Sequence, residues 1–326
     1  MGHGKLRKFA ENETFGCLLQ PSAEEVLANG YFNLADHPVK GRWIEQMFGG
    51  HEGPIVLELG CGKGEYTLEL ARRNPDKNYI GVDIKGARLW RGAKTATEEG
   101  LRNVAFLRTR IEFINAFFGP GEVSEIWLTF SDPQLRASEN KRLSSAMFLE
   151  RYRAFLRPGG IIHLKTDSRF LFEYTRAVAK VNGLPILAET TDLYSDGQGH
   201  GTAPSGVRFA HPTIPFCGGA APRTPAAPGL PTSPSSGSVP SSAVHAEACS
   251  IAPFVIPSEA KEPLQAEVRE VQTFYESMFL EMGLPITYLE FCPDHIGPYL
   301  NPRDPEDFDS AFWRTAEGPR RSFNHQ

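Results

Sequence analysis

Between residues 55 and 191 short, nearly unbroken apolar runs alternate with longer amphipathic stretches, and that alternation leaves few architectures open. IVLEL (55–59) leads through a glycine-rich turn into GEYTLELARR, and YIGVD (79–83) leads into ARLWRGAKTATEEG. VAFL (104–107) precedes IEFINAFF, EIWLTF (125–130) precedes SSAMFLERYRAFL, and GIIHLK (160–165) precedes RFLFEYTRAVAKVNG and then PILAETTDLY. A strand with one wet face alternates apolar and polar residues; these runs do not, so both faces must be covered. The intervening amphipathic stretches supply the cover. The expectation is an α/β, doubly wound sheet with ligands at the carboxyl ends of its strands. Further on, VREVQTFYESMFLEMGLPITYLEF (268–291) predicts a helix ending near Gly283 and a final strand ITYLEF.

Composition divides the chain. Twelve of its 26 prolines fall between 204 and 263, in a stretch otherwise rich in Gly, Ala and Ser, so regular structure is not expected there. The organisation predicted is an N-terminal extension (1–50), one domain from 51–196 and 265–292, a flexible insertion at 197–264, and a tail (293–326) without clear periodicity. The net charge of −5 argues against indiscriminate nucleic-acid binding but permits a local basic patch. No apolar stretch approaches the roughly 18 residues of a membrane span, and the opening MGHGKLRKFA lacks the apolar core of a secretory signal. The five cysteines are odd in number, scattered and never spaced Cys-x-x-Cys. That suits reduced thiols in a cytoplasmic protein and offers no metal site. Monomer and homodimer stay equally open.

LELGCGKGE sets Gly60, Gly62 and Gly64 between a buried strand and a helix start. Glycines there tolerate positive φ and let backbone approach a ligand. A dinucleotide fingerprint would carry its third glycine one residue later, where Glu65 stands and would repel a pyrophosphate. Two carboxylates frame the loop. Asp83 ends the second strand, where an acid commonly grips ribose hydroxyls. Glu58 lies just inside the end of the first, which suits a cationic ligand better than a nicotinamide. The combination points to S-adenosyl-L-methionine; a nicotinamide cofactor and an empty structural turn are the alternatives.

The fourth strand stops abruptly at Ser131-Asp132-Pro133. Asp-Pro is a common turn, yet this carboxylate ends a strand beside the one feeding the glycine loop. A basic segment follows: Arg136, Lys141, Arg142, Arg151, Arg153 and Arg157 against Glu139 and Glu150. Such clustering in an acidic protein favours phosphate contacts over a merely solvated face. His163 in the fifth strand reads as a hydrogen-bonded core residue and receives no role.

SDPQLRASENKRL, with LELGCGKGE, HLKTDSRFLFEY, QTFYESMFLEMG and the opening GKLRKFAENETF, resembles the tRNA (guanine-N7)-methyltransferases over about 1–196 and 268–291. The resemblance implies a class I methyltransferase sheet, mostly parallel with an antiparallel last strand. It implies transfer of a methyl group from S-adenosyl-L-methionine to N7 of a guanine in the variable loop of tRNA. By position, Glu58, Asp83 and Asp132 match acids that contact the cofactor, Asp132 also matching the catalytic residue. Arg110 stands where an Asp or Asn usually borders the adenine. Arg136 replaces a substrate-binding lysine, Asp167 matches the Asp of a K-T-D segment, and Thr273 with Glu276 match a T-x-x-E pair, the last three of which the resemblance implies as substrate contacts. Gln134-Leu135 replaces a frequent Trp-Pro, and one residue is missing before KRL. Against this stand a methyltransferase acting on another RNA, a protein or a small molecule, and a non-catalytic RNA-binding protein.

Overall fold

The computed structural model describes residues 3–195 and 268–318; the insertion expected at 197–264 lies outside them. The apolar runs pair as anticipated. β1 (Leu18–Leu19), β2 (Ile55–Leu59), β3 (Asn78–Asp83), β4 (Val104–Arg108), β5 (Val123–Thr129), β6 (Leu156–Thr166), β7 (Ile186–Thr190) and β8 (Thr287–Phe291) form one sheet. Its order is β1-β4-β3-β2-β5-β6-β8-β7. Neighbours from β1 to β6 are parallel, whereas β8 runs antiparallel to both β6 and β7. The final strand is therefore the reversed one.

Both faces are covered because both are apolar. Every residue of β2 and β3 is buried, and the helices α4 (Glu65–Arg73), α5 (Gly86–Glu99), α6 (Ala146–Arg153) and α7 (Arg169–Val181) turn their apolar sides to the sheet. Three helices, α1 (His3–Asn12) and the single-turn α2 (Ala23–Val26) and α3 (Trp43–Gln46), precede them. IEFINAFF forms a 3-10 turn, Ile111–Ala116, rather than an α-helix.

Two departures have clear causes. The helix expected to run through 268–283 is interrupted: residues 268–270 are helical, and α8 (Phe274–Glu281) starts afresh with Thr273 as its N-cap. The carbonyls of Val268 and Val271 accept hydrogen bonds from the Lys165 ammonium at 2.6 and 2.9 Å, so the backbone is drawn away from helical continuation. The tail contains α9 (Ser310–Glu317), capped by Asp309, whose Oδ1 accepts from Phe312 N at 2.9 Å. Just before it, Phe308 packs edge-on against Phe170 and Tyr174 of α7. An eight-residue helix shows too few turns to declare a period.

The strand order reverses between β3-β2 and β2-β5, and the carboxyl ends of β2 to β6 all open on one edge. Gly60–Gly64, Asp83, Arg110, Asp132 and Asp167 end or follow those five strands in turn. This is where a doubly wound sheet receives its ligand.

Candidate active site

Gly60, Gly62 and Gly64 take φ of +83°, +60° and +74°, which other residues adopt only with strain. Gly64 has a second reason to lack a side chain, since a Cβ there would sit 2.5 Å from the Phe106 ring. With Gly64 as N-cap, α4 starts immediately under the loop. Asp83 braces the other side: its Oδ2 accepts from Gly62 N at 3.0 Å and its Oδ1 from Lys85 N at 2.7 Å. Each oxygen keeps a lone pair, so the carboxylate can still receive a hydroxyl. Open space at the Cβ positions of Gly60 and Gly62, beside that carboxylate, fits a ribosyl ligand such as S-adenosyl-L-methionine.

Glu58 is placed differently from the expectation of direct ligand contact. It is 4% exposed. Its Oε2 accepts from Thr67 N at 2.8 Å and from the Thr67 hydroxyl, and its Oε1 from Thr129 Oγ1 at 2.5 Å. The side chain thus ties α4 and the end of β5 together beneath the loop. Its influence on a bound cation would be electrostatic, through the floor of the cleft. Burial pushes its carboxyl up from 4.5 to about 7, against the hydrogen bonds from Thr129 and Thr67. Below about pH 4.5 the group is neutral whether folded or unfolded, and this share of stability is intact; it is lost as pH rises through about 7, amounting to roughly 3 kcal/mol. Glu58→Gln, whose amide can donate to the Thr129 hydroxyl, should therefore flatten the stability profile over that interval. Its melting temperature should exceed that of the unaltered protein at about pH 8 and match it near pH 4.5. Parallel melting curves at both pH values would contradict the assignment.

Asp132 is exposed, and the backbone around it is strained. Phe130 and Gln134, neither of them glycine, have φ of +48° and +53°. Such residues cost about 1–2 kcal/mol each and gather at functional sites. The turn is held by Gln134 N donating to Asp132 Oδ1 at 2.9 Å and by Arg142 Nε donating to Pro133 O at 3.1 Å. Among the described residues nothing donates to Asp132 Oδ2, which projects from the turn as an acceptor.

Arg142 corrects an expectation. It is 3% exposed, and its guanidinium lies 4.3 and 4.9 Å from the Tyr174 and Phe170 ring centres. It cannot meet a phosphate; it anchors the Asp132 turn. Arg157, the second residue of β6, lies at the sheet's opposite end, and Arg153 pairs with Glu150 and covers Tyr299. The clustered charge in sequence thus disperses in space. Arg136 and Lys141 stay exposed beside Asp132, with no carboxylate in ion-pair range among the described residues.

Arg110 shares the active edge, at the tip of β4, but its guanidinium lies 3.4 Å from Glu112 and over the Phe113 ring. Asp167 is half-buried directly after β6, where Ser168 caps α7. Thr273 and Glu276 form a capping box: Thr273 Oγ1 accepts from Glu276 N at 3.1 Å, and Glu276 Oε2 from Thr273 N at 3.3 Å. Glu276 is fully buried and also pairs with Lys165 at 2.7 Å, while Tyr194 Oη donates to it at 2.6 Å. Burial lowers the Lys165 ammonium, with Glu276 opposing.

Lys165 and Tyr194 were not singled out from the sequence. A lysine inside GIIHLKT is a signal in itself, because a buried cation needs a partner. Nothing local identifies that partner. His163 behaves as expected: it is buried, stacked 4.0 Å from Trp127, and shares a hydrogen with Tyr288 at 2.8 Å. Among the described residues no group of three or more His, Cys, Asp or Glu could hold a metal ion, and no helix is long and apolar enough to cross a membrane.

Residues 52–199 match the family described as "Putative methyltransferase". The tRNA (guanine-N(7)-)-methyltransferase of Christiangramia forsetii is 43% identical over 288 residues, covering 88% of this chain and 96% of that protein. Proteins of the same name from Bacteroides thetaiotaomicron and Porphyromonas gingivalis are 53% identical over 60% of this chain and 56% over 49%, covering 74% and 65% of their own lengths. With nearly the whole of the first of these relatives matched at such identity, the chain belongs to the tRNA (guanine-N(7)-)-methyltransferase family.

Proposed function

We propose that this protein transfers the methyl group of S-adenosyl-L-methionine to N7 of a guanine in the variable loop of tRNA, acting in the cytoplasm. The observation that carries the reading is an exposed carboxylate, Asp132, in a strained turn on the same strand-end edge as a glycine loop braced by Asp83, in a chain 43% identical over 88% of its length to an enzyme of that name.

Gly60, Gly62, Gly64 and Asp83 would hold the cofactor, which supplies an electrophilic methyl group when bound. Guanine N7 offers a lone pair and no proton, so no general base is needed at that atom. The chain's task is alignment and stabilisation of positive charge spreading into the purine. Asp132 Oδ2 accepts from guanine N1–H or N2–H, whose donation strengthens as the ring becomes cationic, with Asp167 as a second acceptor. Reaching this pocket requires the guanine to leave its contacts in the tRNA. Arg136 and Lys141 neutralise nearby phosphates. Thr273 and Glu276 contribute by fixing the segment above the loop.

Purified protein, bulk tRNA and methyl-labelled S-adenosyl-L-methionine should yield labelled 7-methylguanosine, and tRNA from cells lacking the protein should lack that nucleoside. Label entering protein instead would overturn the reading. Lys141→Ala should weaken tRNA binding and reduce the slope of log K against log salt by about one. An unchanged slope removes Lys141 from the interface.

A further inference from the structure

A cleft that methylates tRNA must hold RNA as well as a small ligand, and an exposed aromatic surface lies beside its glycine loop. Phe274 and Tyr275 open α8 with 59% and 39% of their surface exposed, their rings edge-on at 5.9 Å. Phe274 is held from three sides. Its N–H donates to the Glu65 carboxylate at 3.0 Å, directly after Gly64. The Lys63 ammonium lies 5.7 Å from its ring centre. Behind it, the Thr273–Glu276 capping box and the buried Lys165–Glu276 pair fix the start of the helix. Further along α8, Phe279 packs 5.9 Å from Phe130, the strained residue leading to Asp132. The helix therefore lies between the loop of β2 and the tip of β5 with an aromatic face left in water.

More than half of Phe274 is exposed, which leaves a face open to a ligand. A fixed, exposed aromatic with an ammonium beside it suits one occupant well: an unstacked nucleobase on the ring. The Lys63 side chain is itself 50% exposed, and its ammonium pairs with Glu65 at 3.9 Å, which holds it at the edge of the ring. The adjoining groove, lined by Lys63, Arg72 and Arg91 together with Glu65, Glu69 and Glu270, carries charges of both signs, which disfavours an apolar protein partner. We propose that Phe274 with Lys63 forms a stacking platform for an unpaired tRNA base next to the target guanine, Tyr275 bordering it. This rests on the tRNA-methylation reading above.

Steady-state kinetics with tRNA and S-adenosyl-L-methionine test it. Phe274→Ala should raise KM for tRNA about tenfold or more, leaving the cofactor Kd within about twofold. Phe274→Trp should restore KM, and its fluorescence should be quenched on adding tRNA. Phe274→Leu, apolar but unable to stack, should behave like the alanine variant. Rescue by leucine, an unquenched tryptophan, or a KM for Phe274→Ala within about twofold of the unaltered protein would each overturn the platform. Should the unaltered protein form no 7-methylguanosine in tRNA, the parent reading falls and takes this one with it. Normal turnover with an indifferent Phe274→Ala removes the platform alone.

Discussion

Asp132→Asn is expected to lower turnover by about 10²–10³-fold while leaving the fold untouched. The amide oxygen can still accept from Gln134 N, so the turn survives. What changes is the outward atom. At Oδ2 an acceptor becomes an NH₂ group that confronts the donors of a guanine whose positive charge is growing. The loss should therefore appear in kcat more than in KM for tRNA, and the melting temperature should stay within about 2 °C. Single-turnover methylation and a thermal melt of the variant decide the matter. Turnover within about threefold of the unaltered protein would reduce Asp132 to a turn former.

The second large effect concerns stability. Lys165 makes three short contacts, to Glu276 at 2.7 Å and to the carbonyls of Val268 and Val271 at 2.6 and 2.9 Å. Tyr194 joins through Glu276. Residues on both sides of 196–267 are thereby fastened to the end of β6, one residue from Thr166 and two from Asp167. Lys165→Met leaves a buried carboxylate without its cation and two carbonyls without a donor. Breaking a buried pair in this way costs about 3–5 kcal/mol, and the melting temperature should fall by roughly 10 °C. Lys165→Met with Glu276→Met should recover part of the loss, since the orphaned charge is gone while the two carbonyls remain unserved. A melt of the single variant within about 2 °C of the unaltered protein would show that the pair fastens nothing.

How far the sequence discloses this molecule depends on the range over which each feature is decided. The sheet is local in origin: runs such as IVLEL and YIGVD cannot tolerate a wet face, and the glycines after β2 announce a loop that needs positive φ. The tips of those strands follow from topology, so Gly60, Asp83 and Asp132 could be placed before any coordinates. Side-chain direction could not. Arg142 and Lys141 are adjacent and equally charged, yet one is sealed beneath Tyr174 and the other faces solvent. Glu58 reads as a ligand contact until Thr67 and Thr129, from two other elements, are seen to occupy its oxygens. The strain at Phe130 and Gln134 carries no composition signal, because neither residue type prefers the left-handed region. Long-range polar pairing, more than apolar patterning, sets the limit.

The place of β8 in the sheet has a consequence for biosynthesis. Because it separates β6 from β7 and reaches only to Phe291, the bonds it makes with each neighbour cannot exist until the ribosome has passed that residue. Until then β6 is a bare edge on a nascent chain, able to recruit an unrelated strand in place of its own. The last strand to be translated is the one that makes the emerging sheet safe.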